Sequence, residues 1–188
     1  MRTCANRRFI VVSGLPGSGK SSLALKLAPL LGLAVIDKDE ILERLFDSKG
    51  IGDTAWRQAL SRQSDLIFRQ ESEGSAGALL VSFWRLPGMS PDSGTPTDWL
   101  PTLSNRIVNL HCECPADVAA GRFSQRKRHP GHLDDTRTCA QVLTRLRDLE
   151  RLKPLEIGER VTVCTSAEIE LNAVVRDISR VFRQPGAD

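Results

Sequence analysis

Residues 14–21 read GLPGSGKS and fill every fixed position of the pattern G-x-x-x-x-G-K-[ST]. A run of this kind is built to hold phosphate. Gly14, Gly17 and Gly19 allow backbone angles and close approaches that side chains would forbid. Successive backbone N–H groups and the start of a following helix can then face an anion. Lys20 has the reach to touch β- and γ-phosphates, and the Ser21 hydroxyl suits Mg²⁺. With Leu15, Pro16, Ser18 and Ser22, these residues form the candidate nucleotide-binding loop, and Lys20 is also a catalytic candidate.

Two other clusters could use a phosphate held there. Asp37-Lys38-Asp39-Glu40 places two carboxylates at i and i+2. Asp37 can join Ser21 in holding Mg²⁺ and its water, while Asp39 orients and deprotonates an acceptor hydroxyl. Either acid equally suits the cap of the helix that follows. The second cluster is Arg122, Arg126, Lys127, Arg128 and His129. Planar guanidinium groups neutralise the charge of a phosphoryl group in transfer, and a mobile basic lid would also exclude water. A solvated basic helix end is the plainer alternative. Pro130 and Gly131 separate His129 from His132, which argues against a metal pair there.

Hydrolytic motors and switches need an acid where a strand ends beside the phosphate loop, plus a means of positioning water. The apolar run 78–83 is followed by Trp84 and Arg85 instead of an acid, and no Asn-Lys-x-Asp run is present. A chain of 188 residues is expected to leave no room for a coupled domain. These features favour transfer of the phosphoryl group over hydrolysis.

The elements that must position these groups alternate between β-rich apolar runs and longer helical patterns, as βαβ units do. Strands are expected at about 8–13, 33–36, 78–83, 106–112 and 161–164. Helices are expected at about 20–31, 40–46, 55–73, from 115, 136–152 and 169–182. In the first helix Leu23, Leu27, Leu30 and Leu31 share a face, and Gly32 ends it. The result is an α/β fold of three layers, αβα, with about five parallel strands. One domain spans 1–184, with a basic lid at about 122–135 and a flexible tail at 185–188. Segment 84–105, rich in Pro, Gly, Ser and Thr, reads as a substrate-side flap.

Composition narrows the function classes. The net charge is +3 and aromatics are 5% with no Tyr, which count against a nucleic-acid partner. No apolar run approaches the roughly 18 residues of a membrane span, and no signal peptide is expected at the start of the chain. The five cysteines form no paired C-x-x-C site, so a reduced, cytoplasmic protein is expected, monomeric or homodimeric.

GLPGSGKS, VIDKDE and CPADVAAGRFSQRKRHPGH, in that order, resemble the small P-loop kinases. That group includes shikimate and gluconate kinases, chloramphenicol phosphotransferase, zeta toxins and the kinase domain of polynucleotide kinase. The resemblance implies a P-loop NTPase fold and Mg-ATP as phosphoryl donor. Carried over by position, it makes Asp39 the acid that activates the acceptor and puts Asp37 near Mg²⁺. Arg122 lies by adenine, Arg126 and Arg128 are lid arginines, and the turn containing Ser166 borders the base. The Gly-rich substrate loop of shikimate kinase is replaced here by SFWRLPG. The acceptor side is expected to draw on Asp39, Arg57, Phe83, Trp84 and Arg85, with arginines suited to an acidic or phosphorylated acceptor. The leading expectation is an ATP-dependent kinase acting on a hydroxyl of a small molecule. A polynucleotide 5′-hydroxyl kinase, a zeta-toxin-like nucleotide-sugar kinase and a non-kinase nucleotide-binding regulatory module are the alternatives.

Overall fold

The structure is a computed structural model that describes residues 7–184, apart from the side chain of Asp135. Cys4 and the expected tail at 185–188 lie outside the described residues. Five strands, β1 (Arg8–Gly14), β2 (Ala34–Asp37), β3 (Gly77–Val81), β4 (Ile107–Glu113) and β5 (Glu159–Cys164), form one sheet in the order β2-β3-β1-β4-β5. Every pairing is parallel. Among the described residues six α-helices accompany them: α1 (Lys20–Leu31), α2 (Lys38–Lys49), α3 (Thr54–Gly74), α4 (Ala116–Gln125), α5 (Cys139–Glu150) and α6 (Leu171–Arg183). No helix among the described residues is long and apolar enough to cross a membrane.

The central strands read as near-continuous apolar runs because both of their faces are covered. Successive side chains point to opposite layers. Ile10, Val12, Leu79 and Leu110 pack under α1 and α6 with Leu23, Leu27 and Ile178. Phe9, Val11, Ala78 and Leu80 face the other layer with Phe68 of α3. The α4–α5 hairpin has its own core, built on Ala119, Phe123, Val142 and Leu146.

Within α1, Leu30, expected inside, is 49% exposed, and Ala24, not expected there, is buried instead. A stripe at Leu23, Ala24, Leu27 and Leu31 keeps the 3.6-residue period better than one that includes Leu30. Gly32 ends the helix in the left-handed conformation, as its position implies. Helix α5 begins at Cys139, later than expected. Thr138 and Gln141 form a capping box that fixes its start, and a 3₁₀ turn occupies Asp134–Thr136.

The expected flap is anchored in the core at Trp84, Thr95, Trp99, Leu100 and Leu103. Trp84 pairs with Thr95 in an isolated bridge, and Thr95 N–H donates to the Phe83 carbonyl at 2.8 Å. Trp99, Leu100 and Leu103 are buried against Phe9, Val11 and Phe68. Pro and Gly report turns, but these three side chains decide burial. The stretch around 87–92 stays mostly exposed, and Arg85 ties it down by donating to the carbonyls of Ser93, Pro91 and Gly94.

Candidate active site

A cleft of about 440 Å³ opens above the carboxyl edge of the sheet. Parallel strands all deliver their ends to this edge, and the loops that follow β1, β2 and β3 meet there. The phosphate loop turns from β1 into α1 with Gly19 as a left-handed N-cap. Gly17 has φ +83°, and a Cβ on it would come within 2.2 Å of the Ala119 carbonyl oxygen. The loop is therefore moulded against α4, and only glycine fits at this point. Lys20 Nζ donates to the carbonyls of Gly14 at 3.0 Å and Leu15 at 2.8 Å. Burial lowers its pKa, partly opposed by Cys112, Asp39 and Asp37.

Helix α2 starts directly after β2, so Asp37 belongs to both. One carboxylate oxygen caps the helix by accepting from Asp39 N–H at 2.9 Å, and the other accepts from the Ser21 hydroxyl at 2.6 Å. Burial, with the nearby Asp39 charge, pushes the Asp37 pKa up to about 6 against those two hydrogen bonds. Lys38 turns the other way and pairs with Asp65 of α3 at 2.5 Å. Asp39 faces the cleft and pairs with Arg128. Its side chain stays half-exposed, and partial desolvation in the cleft works against ionisation, but Arg128 foremost, then His132, Arg126 and Lys20, hold its carboxyl below the usual range.

The basic segment leaves α4 and folds back over the cleft. Asp134 receives Arg128 at 3.1 Å and Arg126 at 3.4 Å, and the Arg126 guanidinium lies 4.1 Å from the Phe123 ring centre. The His-Pro-Gly-His turn docks on α2. His129 stacks on Phe46 and reaches Asp47 at 3.2 Å, while buried His132 meets Glu43 at 2.9 Å. Both histidines therefore have structural partners on α2. Among the described residues, no group of three or more His, Cys, Asp or Glu is arranged to hold a metal ion.

Most of the expected site residues line this one cleft: Pro16, Gly17, Gly19, Lys20, Ser21 and Ser22 of the loop, then Asp37, Asp39, Arg57, Phe83, Arg122, Arg126 and Arg128. Others do not. Gly14 and Leu15 face a second cavity behind the loop, and Ser18 is buried with its hydroxyl unpartnered. Arg122 donates to the Thr165 carbonyl at 2.9 Å, whereas Ser166 sits outside the cleft with its hydroxyl 3.2 Å from Cys164 Sγ. Trp84 is 2% exposed in the core, donating to the Val12 carbonyl at 2.9 Å and packing on Phe68. Arg85 anchors its own loop. The carboxyl end of β3 therefore offers the cleft Val81, Ser82 and Phe83, with Trp84 and Arg85 turned elsewhere.

Three charged residues join the cleft without any motif to announce them: Asp134, Arg137 and Arg145. Lys20 and six arginines (57, 122, 126, 128, 137 and 145) line it against three aspartates, so positive charge exceeds negative by four. Burial, and then the repulsion of Arg137, lower the Arg57 pKa, and Arg57 Nε is buried without a partner. Groups held together at this electrostatic cost are stabilised by an arriving anion.

A family model described as an AAA domain (AAA_33) matches residues 9–151, and the chain belongs to that family. Its fold is that of the small P-loop kinases. Shikimate kinase 2, chloroplastic, of Oryza sativa subsp. japonica is 29% identical over 122 residues, 64% of this chain and 37% of that protein. The chain thus spans little more than a third of this curated relative. Among solved structures, a Chloroflexus aurantiacus protein described provisionally as a kinase superposes with a TM-score of 0.72 at 22% identity, covering 95% of this chain and 97% of the other. A shikimate kinase of Bacteroides thetaiotaomicron gives 0.55 at 16% identity, covering 94% and 98%. A gluconokinase of Sinorhizobium meliloti 1021 gives 0.51 at 20% identity, covering 95% and 94%.

Proposed function

We propose that the chain is an ATP-dependent kinase that transfers the γ-phosphoryl group to a hydroxyl of a small anionic acceptor. The observation that carries this reading is one cleft in which Asp39 faces the phosphate loop while Arg57, Arg137 and Arg145 add cations beyond those a triphosphate needs. The kinases among the relatives and solved structures support the reaction class.

In this reading the loop amides and Lys20 hold the β- and γ-phosphates, and Arg122 lies beside the base. Arg126 and Arg128 neutralise charge on the phosphoryl group as it moves, which supplies most of the catalysis in such transfers. Asp39, already ionised, accepts the acceptor hydroxyl's proton as its oxygen bonds to phosphorus and the bond to the β-phosphate oxygen breaks. The lid arginines and Phe123 keep water out, and water is the competing acceptor. The hydroxyl of Ser21 and the carboxylate of Asp37, 2.6 Å apart, are hard oxygen donors that fit Mg²⁺. Bound there, the ion would neutralise phosphate charge and raise the electrophilicity of phosphorus.

The test is a screen with ATP and Mg²⁺ of hydroxy-carboxylates, sugar phosphates, neutral polyols, hydroxylated antibiotics and 5′-hydroxyl oligonucleotides. It is scored as ADP release above the rate without acceptor, and a phosphomonoester product is sought by ³¹P NMR. We expect stimulation by members of the first two groups and loss of it in Arg137→Ala. Stimulation by neutral acceptors alone refutes the anionic class. A flat screen over steady ADP release refutes the kinase and favours a regulatory module.

A further inference from the structure

Behind the phosphate loop, on the face of the sheet that carries α3, lies a second cavity of about 340 Å³. Leu15, Phe83, Leu86, Leu152, Pro154 and Leu155 give it apolar walls. Its polar lining comes from Ser13 and His111 on adjacent strands and from Glu113 and Glu150.

The hydrogen bonds beneath it determine what that lining offers. Asn109 Nδ2 donates to the Leu155 carbonyl at 3.0 Å, which orients the amide so that Oδ1 faces Ser13. The Ser13 hydroxyl donates to Oδ1 at 2.6 Å and has then used its one proton. The 3.0 Å contact between Ser13 Oγ and His111 Nδ1 must be the ring donating. Burial, then the charge of Arg160, lowers the His111 pKa, so the imidazole is neutral at pH 7 and Nε2 carries a lone pair. That atom makes no hydrogen bond among the described residues, and neither do the carboxylates of Glu113 and Glu150. Apolar walls joined to three free acceptors, two of them carboxylates at the exposed rim that outnumber the nearby Arg160, suit a donor-bearing, positively charged head on an apolar body.

We propose that this cavity is a second ligand site, which takes a small organic cation with an ammonium or amidinium head and a flat apolar body. The site also reaches the cleft. Gly14 and Leu15 form one of its walls, and their carbonyls accept from Lys20 Nζ; Phe83 lines both cavities. An occupant that shifts this shared wall changes the grip on nucleotide, and linkage makes the effect mutual.

The test uses tryptamine, phenethylamine and benzamidine, with indole-3-acetate and phenylacetate as anionic counterparts. Binding is read by calorimetry and by ¹H–¹⁵N chemical-shift changes, without nucleotide, so failure of the kinase reading leaves it intact. At least one amine should bind saturably and shift the amides of His111 and Leu152. Its affinity should fall at least about tenfold in Leu152→Trp, which fills the cavity, and about three- to tenfold in Glu150→Gln, a change at an exposed position. The matching acid should bind at least about tenfold more weakly. At saturation the amine should move the ATP dissociation constant at least about threefold. The site is overturned if no amine binds saturably, if Glu150→Gln and Leu152→Trp both leave affinity unchanged, or if acids bind equally well. An unchanged ATP constant overturns the coupling.

Discussion

Replacing Asp37 by Asn should stabilise the protein at alkaline pH while weakening its use of Mg²⁺. The carboxyl has a pKa of about 6 in the fold against 3.8 for an ordinary aspartate, so the native state binds the proton more tightly than the unfolded chain. For a raised pKa, the stability contribution is complete below 3.8 and is lost as pH rises through 6. The full loss is about two units, or roughly 3 kcal/mol. Asn is neutral at every pH, caps a helix about as well as Asp, and can still accept from Asp39 N–H. Pairing the two proteins at each pH cancels any constant cost of the substitution. Between about pH 4.5 and 8 the gap in favour of the Asp37→Asn protein should widen by roughly 2 kcal/mol. For a chain of this size that is about 4–8 °C in melting temperature. Circular dichroism melts of both proteins in EDTA, taken at half-unit steps, give the curve directly. A gap that stays flat over that range, or that widens in favour of Asp, refutes the reasoning, because the raised pKa would then have no stability consequence.

Three further outcomes are expected. Asp39→Asn should lower acceptor-dependent ADP release by about 10²–10⁴-fold, leaving the ATP dissociation constant within about threefold by calorimetry. Gly17→Ala should cost at least about tenfold in ATP affinity and lower the melting temperature, since the added methyl meets the Ala119 carbonyl at a φ that costs roughly 1–2 kcal/mol for an L-residue. Trp84→Ala should destabilise the fold by about 3–5 kcal/mol in urea titration through the core cavity it leaves, and the KM for ATP should change little in the folded fraction.

The parts legible in the sequence are those in which chemistry and local structure share a short stretch. GLPGSGKS names its own turn, and Asp37 and Asp39 stand at a strand end because a β-run stops and a helix pattern starts there. Five alternating units are enough to imply a parallel sheet. Segment 84–105 misleads because Pro and Gly mark direction changes, while burial of Trp99, Leu100 and Leu103 depends on a layer contributed by Phe9, Val11 and Phe68. Trp84 and Arg85 follow the same logic: position after a strand suggests a place near the cleft, and tertiary packing turns them away from it. Asp134, Arg137 and Arg145 carry no local signal because a 3₁₀ turn and the α4–α5 hairpin bring them to the loop from more than a hundred residues away. The Asn109–Ser13–His111 relay joins two strands across 96 positions and has no local trace at all.

The place of Asp134 between Arg126 and Arg128 has a consequence for which ligands the lid can recognise. A carboxylate already occupies those two guanidinium groups, so an incoming anion must exchange with it. A singly charged group replaces one negative charge by another and gains little from the swap. A phosphoryl group carrying about two charges and three acceptor oxygens comes out ahead. In the proposed kinase Asp134 would thus act as a threshold set by valence: Arg126 and Arg128 rest on an internal anion and would change partners only for a ligand more highly charged than a carboxylate.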